Sequence, residues 1–196
     1  MIHDALQLIA NQLNAALPGT GGARSVILGN IAQVESETKD ELKQVVLSLV
    51  NVEEESALKN GPHSRLKNGQ VIYENRPVCL HLYLLFSANN TDYGTALKRL
   101  ESIIEFFQGR NVFTVRNSPE LENLSRTAEE LASFRLTLEL HSLSFEQINH
   151  LWGSLGGKQV PFILYRARLV SLSAREFRTA GPPIEEVSVE LESAIP

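Results

Sequence analysis

The chain has 196 residues, 43% hydrophobic and 21% charged, with a formal net charge of −5. That is the composition of one globular domain with its own core, or of one domain with an extension, and its mild acidity argues against nucleic acid or anionic membrane as a partner. No stretch approaches the length of an apolar membrane span, the N-terminus lacks a secretory pattern, and the lone Cys79 excludes an intrachain disulfide and suits the cytoplasm.

Ile2 to Leu17 is expected to be a helix, because Ile2, Ala5, Leu6, Ile9, Leu13, Ala16 and Leu17 share a face and Pro18-Gly19 stops it. Ser25 to Val34 reads as a strand interrupted near Gly29-Asn30. Val45 to Val52 reads as a strand buried on at least one face. From Glu53 to Arg76 the chain turns polar. This is an excursion from the sheet, either a solvated loop or a long hairpin with Asn68-Gly69 as its turn.

Pro77 to Val115 should be the middle of the domain. Val78 to Phe86 is largely apolar on both alternating faces, the pattern of a strand covered on both sides. Thr91 or Asp92 can cap the helix that follows. Tyr93, Ala96, Leu97, Leu100, Ile103, Ile104 and Phe107 form its apolar face, and Gly109 ends it. Val112 to Val115 is then the next strand, which completes a strand–helix–strand unit.

Asn117-Ser118-Pro119 opens a second polar segment. Phe134, Leu136, Leu138 and Leu140 alternate with polar residues, as in a strand with one wet face. Ser144 and Gln147 have capping-box spacing, and Leu143 is placed to staple onto Ile148. Phe145, Ile148, Leu151, Trp152 and Leu155 give the short helix its buried stripe, with Gly156-Gly157 as terminator. Val160 to Leu172 reads as a long strand whose Pro161 puts its start at an edge or bulge. After the joint Gly181-Pro182-Pro183, the alternation of Val187, Val189 and Leu191 suggests a tail strand. The division expected is one domain over 1–180, with its excursion at about 53–76, and a tail over 181–196. The fold class is α/β (α+β), a mixed, largely antiparallel sheet flanked by helices.

Catalytic signatures are missing from the sequence. Gly156-Gly157-Lys158 lacks the earlier glycine of a phosphate loop, where Trp152 stands, and Gln159 replaces the Ser/Thr that would hold magnesium. His3, His63, His81, His141 and His150 have no metal-ligand spacing and no companion cysteines. No catalytic, cofactor-binding or metal-ligating residues are therefore assigned. Cys79 reads as a packing residue, His81 as a core or subunit-contact residue, and Glu53-Glu54-Glu55 as a solvated strand end. One asymmetry remains. Arg166, Arg168, Arg175 and Arg178 follow Lys158, whereas Glu185, Glu186, Glu190 and Glu192 crowd the tail. In a ring, such a basic surface can meet a neighbour's acidic tail and set register.

The segments VVLSLVNVEEESALKN (45–60), PVCLHLYLLFSANNTDYGTALKRLESIIEFFQGRNVFT (77–114) and LSFEQINHLWGSLGGKQVPFILYRARLV (143–170) closely resemble one family. It is the cap, or tail-terminator, family of phage-tail-like extracellular contractile injection systems, of the antifeeding-prophage and virulence-cassette type. The resemblance runs from the Ile2 helix to about Leu172. It departs at the end, where some members continue into a substantial extension. It implies a phage tail-terminator-like fold and a six-fold ring of this chain. That ring would end the inner tube, anchor the sheath and assemble in the cytoplasm into a released or anchored particle. The partners implied are further copies of the chain, the tube protein and the sheath protein. Such a role needs no active site. The helix Ser144–Leu155 is the first choice of assembly element, through Gln147, Asn149, His150 and Trp152, joined by Lys158, Arg166, Arg168, Glu185 and Glu186. The excursion 53–76 and the tail are further choices. Two other readings are an adaptor between tube end and a separate cap, and a small hydrolase or ligand-binding domain built from scattered residues.

Overall fold

The computed structural model describes residues 1–17, 25–33, 44–55, 64–67, 70–73, 78–88, 90, 92–119, 121, 128–157, 159–172 and 179–181. Its main body is a six-stranded sheet in the order β1-β2-β5-β8-β7-β6. The strands are β1 (Val26–Leu28), β2 (Val45–Glu54), β5 (Val78–Ala88), β6 (Val112–Thr114), β7 (Arg135–Leu140) and β8 (Phe162–Leu172). Only β1 and β2 run parallel; every other neighbouring pair in this sheet is antiparallel. The expected mixed, largely antiparallel sheet is what forms. Within the polar excursion, β3 (Ser64–Lys67) and β4 (Gln70–Tyr73) pair antiparallel, with Lys67 opposite Gln70. β9 (Thr179–Gly181) adds to β4, making a separate three-stranded sheet. Asn68-Gly69 and the expected tail strand over 187–191 lie outside the described residues.

Each face of the large sheet has its own apolar cluster. On one face, α1 (Ile2–Ala16) and α2 (Tyr93–Gly109) pack Ile9, Leu13, Leu100, Ile103 and Phe107 against Leu47, Leu82, Leu84, Phe86, Leu136, Ala167 and Leu169. Phe107 is the hub of an aromatic group, with ring centroids 5.7 Å from Phe86, 4.8 Å from Tyr165 and 6.4 Å from Phe113. The other face carries Val46, Leu85 and Leu164 under α4 (Phe145–Ser154). β5 therefore sits between two apolar layers, which explains why its sequence is apolar on both sides.

Local signals place the helix ends. Asp92 caps α2: its carboxylate accepts from the Thr95 backbone N–H at 2.7 Å and from the Thr95 hydroxyl at 2.6 Å. These bonds hold the carboxyl below the usual range. A short helix, α3 (Ala128–Ser133), occupies part of the segment expected only to be polar.

β5, α2 and β6 form the expected strand–helix–strand unit in chain order, although the two strands are not neighbours in the sheet. α2 carries the chain across the sheet, and β6 lands at the far edge, separated from β5 by β8 and β7. Tyr93 and Leu97 do not share the buried face of α2; they look onto an open hollow, 65% and 46% exposed. Leu140, at the last position of β7, is likewise exposed.

Candidate assembly surface

α4 is capped at both ends and anchored to the sheet from its middle. Its capping box forms as the spacing requires: Ser144 Oγ accepts from the Gln147 N–H at 3.2 Å, and Gln147 Oε1 accepts from the Ser144 N–H at 2.9 Å. At the other end Gly156 and Gly157 take φ of +104° and +83°, and the Gly157 N–H donates to the Trp152 carbonyl at 2.7 Å. Both angles lie in the left-handed region where a side chain is strained, so the glycines close the helix as read. Between the ends, Trp152 is buried among Ile31, Val46, Leu85 and Leu164, its ring 5.4 Å from that of Phe162. Leu143, Ile148, Leu151 and Leu155 flank it.

Trp152 is thus occupied in holding α4 down and is not on the surface. Gln147, Asn149 and His150 are exposed on the outer side of the helix, with the Gln147 carboxamide oxygen engaged in the cap. Phe145 reverses the expectation the other way. Its spacing puts it on the buried stripe, yet at the first turn nothing of the second cluster covers it, and it is 92% exposed. Lys158, Arg175, Arg178, Glu185 and Glu186 lie outside the residues whose side chains are described.

Beyond α4 the same sheet face becomes polar. The register puts Asn51 beside Tyr83, Glu53 beside His81, Tyr83 beside Arg166, His81 beside Arg168, and Arg166 beside Glu139. Cross-strand partners share a face, so a polar patch runs across β2, β5, β8 and β7. Arg166 Nη2 meets Glu139 Oε2 at 2.7 Å. Arg168 Nε meets Glu55 Oε2 at 2.6 Å, and His81 Nε2 lies 3.6 Å from the same oxygen. The Tyr83 hydroxyl donates to Glu53 Oε2 at 2.9 Å. The hydrogen bond from Arg166 pulls the Glu139 carboxyl below its ordinary value and raises Arg166 in turn. Partial burial, then the bond to Glu53, raises the Tyr83 phenol. Arg166 and Arg168, expected to help form a basic stripe, are therefore paired within the chain. Sequence reading missed Glu55 and Glu139 as their partners, since only the register between distant strands brings them together.

Two of the hollows on the described surface lie beside the helices. One, of about 330 Å³, lies between α1, β1, β2 and α2, and neither a carboxylate, a histidine nor a cysteine lines it. The other, of about 460 Å³, lies between Tyr93, Leu97, Leu100 and the segment Gln159–Phe162, with Tyr93 the one ionisable residue among the described residues that line it. Among the described residues, neither holds an acid–base pair of the kind hydrolysis requires. Among the described residues no group of three metal-ligating side chains gathers, and no helix is long and apolar enough to cross a membrane.

Solved structures share this fold, two of them components of contractile injection particles. One is the cryo-EM structure of the sheath/tube terminator, in the extended state, of the extracellular contractile injection system PVC. It is 14% identical with a TM-score of 0.59, over 100% of this chain and 64% of that one. The other is the tube-terminating cap of the anti-feeding prophage, 12% identical with a TM-score of 0.55, over 97% of this chain and 62% of that one. The chain thus spans less than two thirds of either structure's length, and at these identities the likeness is one of fold. No curated protein sequence matches the chain. The Pvc16 N-terminal domain model matches residues 4–186, almost the entire sequence, and the chain belongs to that family.

Proposed function

We propose that this protein is a structural assembly component that ends the inner tube of a contractile injection system and anchors its sheath, acting as a ring of six copies. The observation that carries this reading is the agreement of its family with its fold. The family match spans residues 4–186, and the whole chain superposes on terminator and cap structures. Head-to-tail contacts close into a ring when the rotation per subunit permits it. A terminator then needs one surface that fits the last tube layer and another that offers no template for the next. No catalytic step enters this role, and neither hollow supplies the groups for one.

The contact surface that best suits the ring is the outer side of α4 with the polar patch beside it. Phe145 offers an exposed aromatic anchor, and Gln147, Asn149 and His150 offer polar groups on a helix held rigid by its cap and by Trp152. Arg166 and Arg168, with Lys158, Glu185 and Glu186, would set register across the contact. Partners are further copies of the chain, the tube protein and the sheath protein, and assembly takes place in the cytoplasm.

The test is the length distribution of particles, by electron microscopy, from cells lacking this protein. Overlong or sheathless tubes are expected. Intact particles of normal length would overturn the terminator reading and leave an adaptor or accessory role.

A further inference from the structure

The large sheet ends on either side in a strand of three residues, β1 and β6. An open sheet edge presents unpaired N–H and C=O groups to any other chain, and so templates strand addition. Here an asparagine carboxamide meets each edge. Pairing with β2 uses the Ser25 carbonyl and the Gly29 N–H, so the alternation of a strand turns both backbone groups of Val26 outward. The side chain of Asn14, reaching from α1, takes both: Nδ2 donates to the Val26 carbonyl at 2.8 Å, and Oδ1 accepts from the Val26 N–H at 2.9 Å. Oδ1 also accepts from the Ser25 N–H at 2.8 Å.

At the far edge, the bond from the Leu138 N–H to the Asn111 carbonyl places the Val112 carbonyl and the Thr114 N–H on the outer side of β6. Asn117 takes both, with Nδ2 donating to Val112 O at 2.8 Å and Oδ1 accepting from Thr114 N at 2.8 Å. These are the two bonds that one residue of a parallel neighbouring strand would make. The carboxamide is held in place from behind, because Arg110 donates to the Asn117 carbonyl and the Ser118 hydroxyl while also reaching Gln12 of α1.

We propose that Asn14 and Asn117 are edge gatekeepers: each occupies two outward backbone groups of an outer strand, so that copies of this chain do not join by adding strands at β1 or β6. The proposal concerns the purified chain and stands whether or not the terminator reading holds.

The test compares the double variant N14A/N117A with N14D/N117D by light scattering over a range of protein concentrations, with circular dichroism to confirm the fold. Alanine opens both edges. Aspartate loses the same donor, yet it leaves an acceptor for the edge N–H and a charge that repels an incoming strand. The alanine pair is expected to associate with rising concentration, roughly doubling the mean mass as strand-paired dimers form, while the aspartate pair behaves as the unaltered chain does. If a folded alanine pair keeps the unaltered chain's mass, or both pairs associate alike, the proposal is overturned. Hydrogen exchange on the unaltered protein supplies a check that needs no variant. The amides of Val26 and Thr114 should exchange at least about tenfold more slowly than open-chain amides, and open-chain rates would equally overturn it.

Discussion

Replacing Trp152 separates packing from assembly on α4. The side chain is 5% exposed and is the one residue of α4 that is fully in the core; Ile148 and Leu151 are half-buried. Truncating a buried tryptophan to alanine costs about 3–5 kcal/mol, the lower figure applying where the surroundings collapse into the space. α4 lies on the outside of the sheet and can settle inward, and the indole N–H, which has no hydrogen-bond partner among the described residues, is removed together with the ring. Both points favour about 3 kcal/mol. With a urea dependence of about 1–3 kcal/mol per molar, Trp152→Ala should lower the unfolding midpoint by about 1–3 M, and Trp152→Phe by much less. Far-ultraviolet circular dichroism measures the midpoint without the lost fluorophore. In contrast, Phe145→Ser, at a position 92% exposed, should change stability by no more than about 0.5 kcal/mol while weakening the proposed ring. A stability loss under about 1 kcal/mol for Trp152→Ala, or a loss for Phe145→Ser as large as that for Trp152→Ala, would refute this division of labour.

Ser144→Ala removes one half of the capping box and should cost about 1 kcal/mol, read by the same urea titration. Ser48 is 5% exposed, donates to the Gly29 carbonyl at 2.7 Å and accepts from the Ile31 N–H at 3.1 Å; Ser48→Ala should cost about 1–3 kcal/mol by orphaning both groups. Glu139 has its folded pKa lowered from an ordinary value of 4.5 by Arg166, so its contribution is present above that value and is lost as pH falls through the depressed one. The stability difference between the unaltered chain and Glu139→Gln should therefore vanish in acid. It should amount to only about 0.2–1 kcal/mol at neutral pH, because the pair is well exposed.

What the sequence made legible were features set within a few residues of one another. The capping box of α4, the glycine stop after it, the apolar period of α1 and the double-sided burial of β5 all depend on short spacings, and all formed. Features set by register between distant segments were not legible. Arg168 and Glu55 are 113 positions apart and meet only because β2, β5 and β8 align at one offset. The place of β6 at the far edge depends on which strand it pairs with, and three residues of sequence hold too little pattern to specify that. Phe145, Tyr93 and Leu97 show a third limit. Helical period tells which side of a helix a residue is on, but not whether anything lies beneath that turn.

These placements bear on how copies of the chain could meet. One sheet face is filled by α1 and α2, and asparagine carboxamides occupy outward backbone groups of both outer strands. Among the described residues, the outer side of α4 and the polar patch beyond it remain open, as does the stretch of β2 past Leu47 that β1 does not reach. In that patch the arginines are already satisfied by Glu139 and Glu55, so a partner gains little by replacing one carboxylate with another. Exchange of exposed ion pairs is nearly neutral in energy but strict in geometry, and it sets register more than affinity. A ring built on such contacts would be weak between isolated copies and firm where a tube end aligns all its members at once. On that argument, the purified chain should be monomeric at micromolar concentrations by light scattering and should form rings when tube ends are added. A stable ring from the protein alone would show that the energy of the contact lies elsewhere, with Phe145 the first residue to test.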